Sequence, residues 1–456
     1  MLTVIDPATG KTVREVTPDD DMAVEGKLKA AAGAFPAWRE KTFAGRAEVL
    51  RAVARIMRDR TRELAPLMTE EMGKPIREAR GEVEKAAWCA EHYADHAERY
   101  LATETIASDA TRSYVQYLPL GTVLGILPWN APFWLAFRFC APALMAGNTC
   151  LMKHDPHVPG CAQAIEEAFH QAGAPDGIFQ SLLIETPRVE SVIRDRRISA
   201  VSFTGSGKGG AAVGSIAASE IKPAVLELGG SDPSIVLADA DLEKAAEVLK
   251  MSRIINAGQS CIAAKRIIVE DAVYDRMEAL LTEKFGALTV GDPAREETDV
   301  GPIARADLRD ELHRQVRSSI DSGARLVMGG ELPDGEGYFY PVTFLADVEP
   351  GMSAFREETF GPVAVLIRAR DEDHALELAN DTEYGLAASV WTATDRGEAI
   401  AGKIAAGQVS VNGIVKTDPR LPSGGIRKSG YGRELGRHGI HEFVNAQQVW
   451  VGPAQG

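Results

Sequence analysis

Cysteine is scarce in this chain of 456 residues: Cys89, Cys140, Cys150, Cys161 and Cys261 are scattered, odd in number and never form a Cys-x-x-Cys pair. That pattern argues against a disulfide framework or a zinc ribbon and points to a reducing compartment, the cytoplasm. Long apolar runs are absent as well. No stretch approaches the roughly 18 apolar residues of a membrane span. Residues 1–7 lack the basic stretch and apolar core of a leader peptide. Positive charge is in deficit, with 50 Lys and Arg against 65 Asp and Glu and a formal net charge of -15. This excludes nucleic acid or an anionic membrane as the main partner and requires a local basic group for any anionic substrate. No period of 20 to 50 residues recurs, so the chain is not a solenoid, and no low-complexity linker divides it.

What remains is an ordinary globular composition, 45% apolar and 25% charged, on a chain too long for one compact core. Residues 19–100 are rich in Ala, Glu, Arg and Leu at helical spacing, most clearly over 46–57. From Gly121 onward short apolar runs at 122–127, 149–153 and 200–204 alternate with helix-like segments such as 161–172, which predicts parallel α/β units. A second α/β series begins near Gly230, with a strand at 234–237 and a helix start at which Asp239 or Asp241 serves as the cap.

Two segments carry the chemistry. Cys261 follows Gly258-Gln259-Ser260, and Glu227 ends the strand-like run 224–226 just before Gly229-Gly230. A thiolate is strongly nucleophilic near neutral pH and soft enough to attack a carbonyl and later release the acyl group, and a nearby carboxylate supplies the proton traffic. Against this, a Cys beside Ile262, Ala263 and Ala264 is more commonly a buried small hydrophobe, and Glu227 reads equally as half of a structural ion pair. Pro128-Trp129-Asn130-Ala131-Pro132 is a rigid loop whose Asn130 amide reads either as a packed turn or as an oxyanion donor. Gly205-Ser206-Gly207-Lys208-Gly209-Gly210 matches GxGxxG between a strand and a helix, but lacks the acidic residue that closes a second strand and is no Walker A loop. His92 and His96, with Cys89 one turn earlier, read as a solvated helix face rather than a metal site.

Seven motifs taken in order resemble the aldehyde dehydrogenase superfamily over essentially the whole chain. They are Glu71-Met72-Gly73-Lys74-Pro75, the loop at 128–132, Phe203-Thr204-Gly205-Ser206, Glu227-Leu228-Gly229-Gly230, Gly258-Gln259-Ser260-Cys261, Glu357-Glu358-Thr359-Phe360-Gly361-Pro362 and the glycine-rich run 424–430. The resemblance implies an aldehyde oxidised to a carboxylic acid through a thiohemiacetal and a thioester on Cys261. In that scheme Asn130 and the Cys261 N–H hold the oxyanion, and Glu227 activates the hydrolytic water. It further implies NAD or NADP, contacted by Trp129, Asn130, Lys153, Gly205, Ser206, Leu228, Glu358 and Phe360. Many NAD-preferring relatives carry a glutamate three residues after the lysine. Here Pro156 removes that charge, so NADP is tolerated, although Asp155 is adjacent.

Segments around Lys153, Gly229 and Lys265 look like the bacterial succinate-semialdehyde dehydrogenase branch. In that branch an arginine fork reads the substrate's distal carboxylate. Arg138 matches such an arginine; a second one found in some relatives is Ile255 here, and Arg420 is offered as its replacement, with structural ion pairs as the bland reading of both. Ser423 replaces the usual phenylalanine of a Pro-Phe-Gly-Gly motif.

The implied fold is α/β, with two Rossmann-like three-layer domains and a small β oligomerisation arm. A dinucleotide-binding domain spans 1–100 and 119–229, a catalytic domain 230–430, and the arm with the C-terminal segment 101–118 and 431–456. Alternating strands at 111–117 and 447–451 offer exposed edges for a homodimer or homotetramer. Competing readings are another short-chain or aromatic aldehyde, coenzyme A acylation, a cofactor-free thiol hydrolase, and an inactive binding or structural protein on the same fold. No metal is expected.

Overall fold

The computed structural model describes residues 1–452. After a hairpin of Leu2–Asp6 and Lys11–Val16, four helices follow: α1 (Asp21–Glu40), α2 (Phe43–Asp59), α3 (Thr61–Met72) and α4 (Ile76–Tyr100). They fall within the stretch whose periodicity predicted helix. Asp20 caps α1 through the Ala23 N–H and Thr42 caps α2 through the Gly45 N–H. Along α2, Arg46, Leu50, Val53, Ala54 and Met57 recur at helical spacing and are buried, and this face packs on α4.

The helices cover a six-stranded sheet. Its order is Gly430–Tyr431, Ala224–Glu227, Ile198–Thr204, Thr122–Leu127, Thr149–His154 and Phe179–Ser181. All pairs are parallel except the one made by Gly430–Tyr431. Its crossovers include α5 (Pro132–Met145), α6 (Pro159–Gln171), α7 (Val189–Arg194) and α8 (Gly207–Ser219). Every residue of α5 is buried. The helix lies so close to the sheet that a Cβ on Gly125 would sit 2.5 Å from the Phe139 ring. The register sets Leu127 beside His154 and Thr204 beside Glu227, so the strands end together along one edge, where open parallel sheets bind ligands.

A seven-stranded sheet follows in the order Arg325–Met328, Thr343–Ala346, Val363–Ala369, Arg266–Glu270, Pro233–Val236, Ala387–Trp391 and Gln408–Val411. Only the first pair is antiparallel. Strand neighbours point to opposite faces: Ile235, Ile268 and Val365 enter one core, and Val236, Ile267 and Leu366 the other. Helix α9 (Leu242–Ile254) begins at Asp241, whose carboxylate accepts the Lys244 N–H.

The two alternating strands expected at 111–117 and 447–451 pair with each other, as Arg112–Pro119 against Val444–Val451, antiparallel over eight residues. With Glu104–Thr105 they form a three-stranded sheet that leaves the outer edge of Val444–Val451 unpaired among the described residues. Residues just before that strand turn back to the helices, where Leu435, Ile440 and Phe443 join the core around α2, α4 and α5. Among the described residues no helix is long and apolar enough to cross a membrane.

Candidate active site

Cys261 stands at the end of an irregular turn. After α9 the backbone takes three successive left-handed residues, Asn256 (φ 55), Ala257 (φ 54) and Gly258 (φ 76). The first two have a Cβ and cost of order 1 to 2 kcal/mol each in that conformation. The turn is held from beneath. Arg253, fully buried, donates to the carbonyls of Gly258 (2.7 Å) and Gly361 (2.8 Å). Glu78 accepts the Asn256 N–H at 2.7 Å, Gln259 Nε2 donates back to the Asn256 carbonyl at 3.0 Å, and Gln259 Oε1 accepts the Ala304 N–H at 2.9 Å. Lys265 Nζ donates to the Ser260 and Cys261 carbonyls at 2.9 and 2.6 Å. The Cys261 N–H has no acceptor among the described residues.

The second wall comes from the loop before α5. Asn130 Nδ2 donates to the Gln259 carbonyl at 3.1 Å, and the Asn130 carbonyl receives Asn256 Nδ2 and Lys74 Nζ, each at 2.9 Å. Lys74 is ion-paired to Glu82, whose Oε1 in turn accepts the Phe133 and Trp134 N–H groups at the start of α5. The motif at 71–75 thereby acquires a physical meaning. Glu71 caps α6 through the Gly160 and Cys161 N–H groups, while Lys74 fixes the height of the Asn130 loop. Only one of the two Asn130 N–H bonds is spent on Gln259, so the other is free to meet an oxyanion.

Asn130, Arg138, Ser260 and Cys261 line one cavity of about 480 Å³, together with Lys85, Trp134, Ile255, Lys416 and Thr417. Glu227 lies off that wall, buried at the end of its strand. Its Oε2 is 3.6 Å from Arg138 Nη2, and its Oε1 has no hydrogen-bond partner among the described residues. Arg138 is itself buried and ion-paired to Glu434. Burial raises the Glu227 carboxyl above the usual carboxylate range, the Glu434 carboxylate adds to this, and Arg138 opposes both. Burial likewise pushes the Cys261 thiol up to about 11, against the pull of Lys265 and then Arg138. The resting thiol is therefore protonated and depends on a base. The other four cysteines are buried and have no disulfide partner.

Arg420 lies elsewhere. Its side chain is 66% exposed, bonds Asp418 through two contacts, and lies over the Trp88 ring; it does not line the cavity. Glu434 and Lys85 escaped sequence reasoning. Glu434 was signalled only by a lone carboxylate after a glycine-rich run, and Lys85 by nothing beyond a helical charge pattern.

Residues expected to hold a dinucleotide gather at the ends of the six-stranded sheet. Lys153 is buried yet has no hydrogen-bond acceptor among the described residues, and burial lowers its ammonium despite Asp155. Thr204 Oγ1 is buried without a partner among the described residues. Ser206 caps α8, and a Cβ on Gly207 would meet nothing within 4 Å, which leaves the helix start open to a diphosphate. Glu358 lies against Gly229 and accepts the Gly230 N–H at 3.1 Å; a Cβ on Gly229 would sit 2.2 Å from its Oε2. Leu228 is buried under Gly210, and Phe360 meets Trp129 edge-on at 5.9 Å. Asp155, next to Pro156, accepts from the N–H (3.0 Å) and Nδ1 (2.8 Å) of His157. A lone lysine, an unpaired hydroxyl and an open helix start fit an anionic nucleotide. Residues 1–449 match the aldehyde dehydrogenase family.

The chain belongs to the aldehyde dehydrogenase family. It is 48% identical over 451 residues to a probable succinate-semialdehyde dehydrogenase [NADP(+)] of Synechocystis, covering 99% of both chains. It is 46% identical over 448 residues to an Escherichia coli succinate semialdehyde dehydrogenase [NAD(P)+], covering 98% of this chain and 97% of the relative. The crystal structure of succinic semialdehyde dehydrogenase from Streptococcus pyogenes in complex with NADP+ superposes with a TM-score of 0.97 at 36% identity, over 99% of this chain and 100% of the other. The aldehyde dehydrogenase fold expected from the motifs is the fold observed, with parallel α/β sheets.

Proposed function

We propose that this aldehyde dehydrogenase oxidises succinate semialdehyde to succinate with NAD or NADP. The observation that carries the reading is a single cavity in which Cys261 and Asn130 share the wall with four cations and two carboxylates, Glu78 and Glu82: Lys74 pairs with Glu82 and Arg138 with Glu434, while Lys85 and Lys416 have no carboxylate partner among the described residues, on a chain whose net charge is -15. Positive charge concentrated there selects an aldehyde that is itself an anion.

Cys261 Sγ bonds to the aldehyde carbon, and its proton passes through water to solvent, which leaves Glu227 for the second half of the reaction. The oxyanion is held by the free Asn130 N–H and the Cys261 N–H. The bound nicotinamide supplies the acceptor for the hydride that leaves the thiohemiacetal carbon. Glu227 then removes a proton from the water that attacks the thioester, which requires it to turn from Arg138 toward the cavity. The C–S bond breaks and the acid departs. Lys153, Gly205 and Ser206 would hold the ribose and diphosphate of a bound dinucleotide, Trp129 and Leu228 would line it, and Glu358 with Phe360 would orient its nicotinamide end. Pro156 adds no charge and Asp155 is engaged by His157, so a 2′-phosphate is accepted.

The domain partition is that given by the motifs, with the arm at 101–118 and 431–456 joining copies through the free edge of Val444–Val451 into a homodimer or homotetramer. Sedimentation with and without a proline at Gln448 tests this. Five unpaired cysteines suit the cytoplasm.

The deciding experiment compares kcat/KM for succinate semialdehyde and butanal, each with NAD and with NADP, by the absorbance of the reduced nicotinamide. A charged hydrogen bond of ~1.5–3 kcal/mol gives a preference of about 10- to 100-fold for the carboxylated aldehyde. Equal or reversed values would overturn the substrate and leave the dehydrogenase.

A further inference from the structure

Arg138 is the residue that the family resemblance offers for the substrate's distal carboxylate, but its charge is already matched. It faces Glu434 and Glu227, two buried carboxylates against one guanidinium. A third carboxylate at the same point would enter a neighbourhood that is neutral when Glu227 holds a proton and negative when it does not. Attraction there is weak in the first state and reversed in the second.

One helical turn earlier on α5 stands Trp134, and against it lies Lys85 of α4. Lys85 Nζ is 4.1 Å from the Trp134 ring centroid and donates to Thr417 Oγ1 at 2.8 Å. All three residues line the cavity that contains Cys261. An ammonium has three donors: one is used by Thr417 and one face rests on the indole, whose π surface stabilises a cation without neutralising it. No carboxylate oxygen lies within 4 Å of Lys85 among the described residues, in contrast to Lys74 beside it, which is paired to Glu82. Burial first, and Arg138 after it, lower the Lys85 ammonium to about 8, against the pull of Glu82, the Cys89 thiol and Asp418. A half-buried cation that lacks a counterion, in the wall of the reaction cavity, is stabilised by an anion brought in from outside.

We infer that Lys85, with Thr417 and the Trp134 ring, is the site that receives the anionic end of the substrate, and that Arg138 serves as the counterion of Glu434 and Glu227. The inference rests on the proposed preference for a carboxylated aldehyde. It assigns specificity to α4 and to the loop carrying Thr417, and it makes Lys85 a residue whose loss changes which aldehyde is taken and leaves the chemistry intact.

The test is Lys85→Gln, close in size and able to keep the Thr417 contact, assayed on succinate semialdehyde, on aldehydes with a shorter or longer chain to the carboxylate, and on butanal. The expected result is a fall of about 30-fold or more in kcat/KM for the preferred carboxylated aldehyde, carried by KM. Butanal changes by less than about threefold, and Lys85→Arg restores much of the loss. An equal fall for butanal in both variants marks Lys85 as structural and overturns the inference, as does an unchanged preference in Lys85→Gln. If the unaltered enzyme prefers a carboxylated aldehyde of another length and Lys85→Gln abolishes that preference, the inference stands and the succinate semialdehyde reading falls. If the unaltered enzyme prefers no carboxylated aldehyde, both fall.

Discussion

Two parts of one cavity wall are fastened in different ways. Around Cys261 and Asn130 the fastening is to main-chain atoms: Arg253, Gln259, Asn256, Lys74 and Lys265 all spend donors on carbonyls. The cations Arg138 of α5 and Lys85 of α4 instead meet other side chains, Arg138 with Glu434 and Lys85 with Thr417 and Trp134. A main-chain acceptor survives almost any substitution at its own position, so the reacting atoms keep their places as the sequence drifts. A side-chain partner is exchanged by a single codon. The reacting atoms are thereby held through the main chain, and the choice of aldehyde rests on pairs of side chains.

Substitutions break this comparison at different strengths. The largest effect is expected for Cys261→Ala, which removes the nucleophile: turnover falls by about 10⁴-fold or more, while nucleotide affinity by fluorescence titration stays within about twofold. Glu227→Gln leaves acylation and slows deacylation by about 10²- to 10⁴-fold, seen as a stoichiometric burst of reduced nicotinamide followed by a slow phase; absence of the burst places the defect before hydride transfer. Asn130→Ala deletes one oxyanion donor and lowers kcat by about 10²- to 10³-fold for charged and uncharged aldehydes alike.

The smallest effect sharpens the contrast. The ratio of kcat/KM for succinate semialdehyde to that for butanal cancels the titration of Cys261 and the part that Glu227 plays in the chemistry, which both substrates share. Lys85 is charged below its lowered value of about 8 and neutral above it, so the ratio is high at neutral pH and declines severalfold as pH rises past that value. Arg138, Glu82, Cys89 and Asp418 face Lys85. Arg138 keeps its charge throughout, Asp418 is held below the usual carboxylate range by its bonds to Arg420, and the Cys89 thiol is held well above this range by burial. A flat ratio would remove the carboxylate from Lys85, and a decline that persists in Lys85→Gln would place it beside Arg138, where Glu227 titrates.

The sequence conveyed whatever depends on near neighbours. The periodic burial of α2, the Asp241 cap and the strand ending at Glu227 were all readable, because each is set within a turn or two of chain. The Cys261, Asn130 and Lys153 motifs were readable because the family repeats them in order. Pairings across the fold were not. Nothing near Arg138 announces Glu434, and nothing near Lys85 announces Thr417, since each pair meets only when the last hundred residues fold back onto α4 and α5. The same long-range closure brought the two alternating strands at 112–119 and 444–451 together, where each alone read as an edge awaiting another chain.

Four of the five thiols are sealed in the interior and only Cys261 opens onto the cavity. A small alkylating reagent applied to the native enzyme therefore counts catalytic centres directly. One equivalent is consumed per intact subunit and five after unfolding, so the ratio of the two readings gives the fraction of any preparation that is competent to turn over.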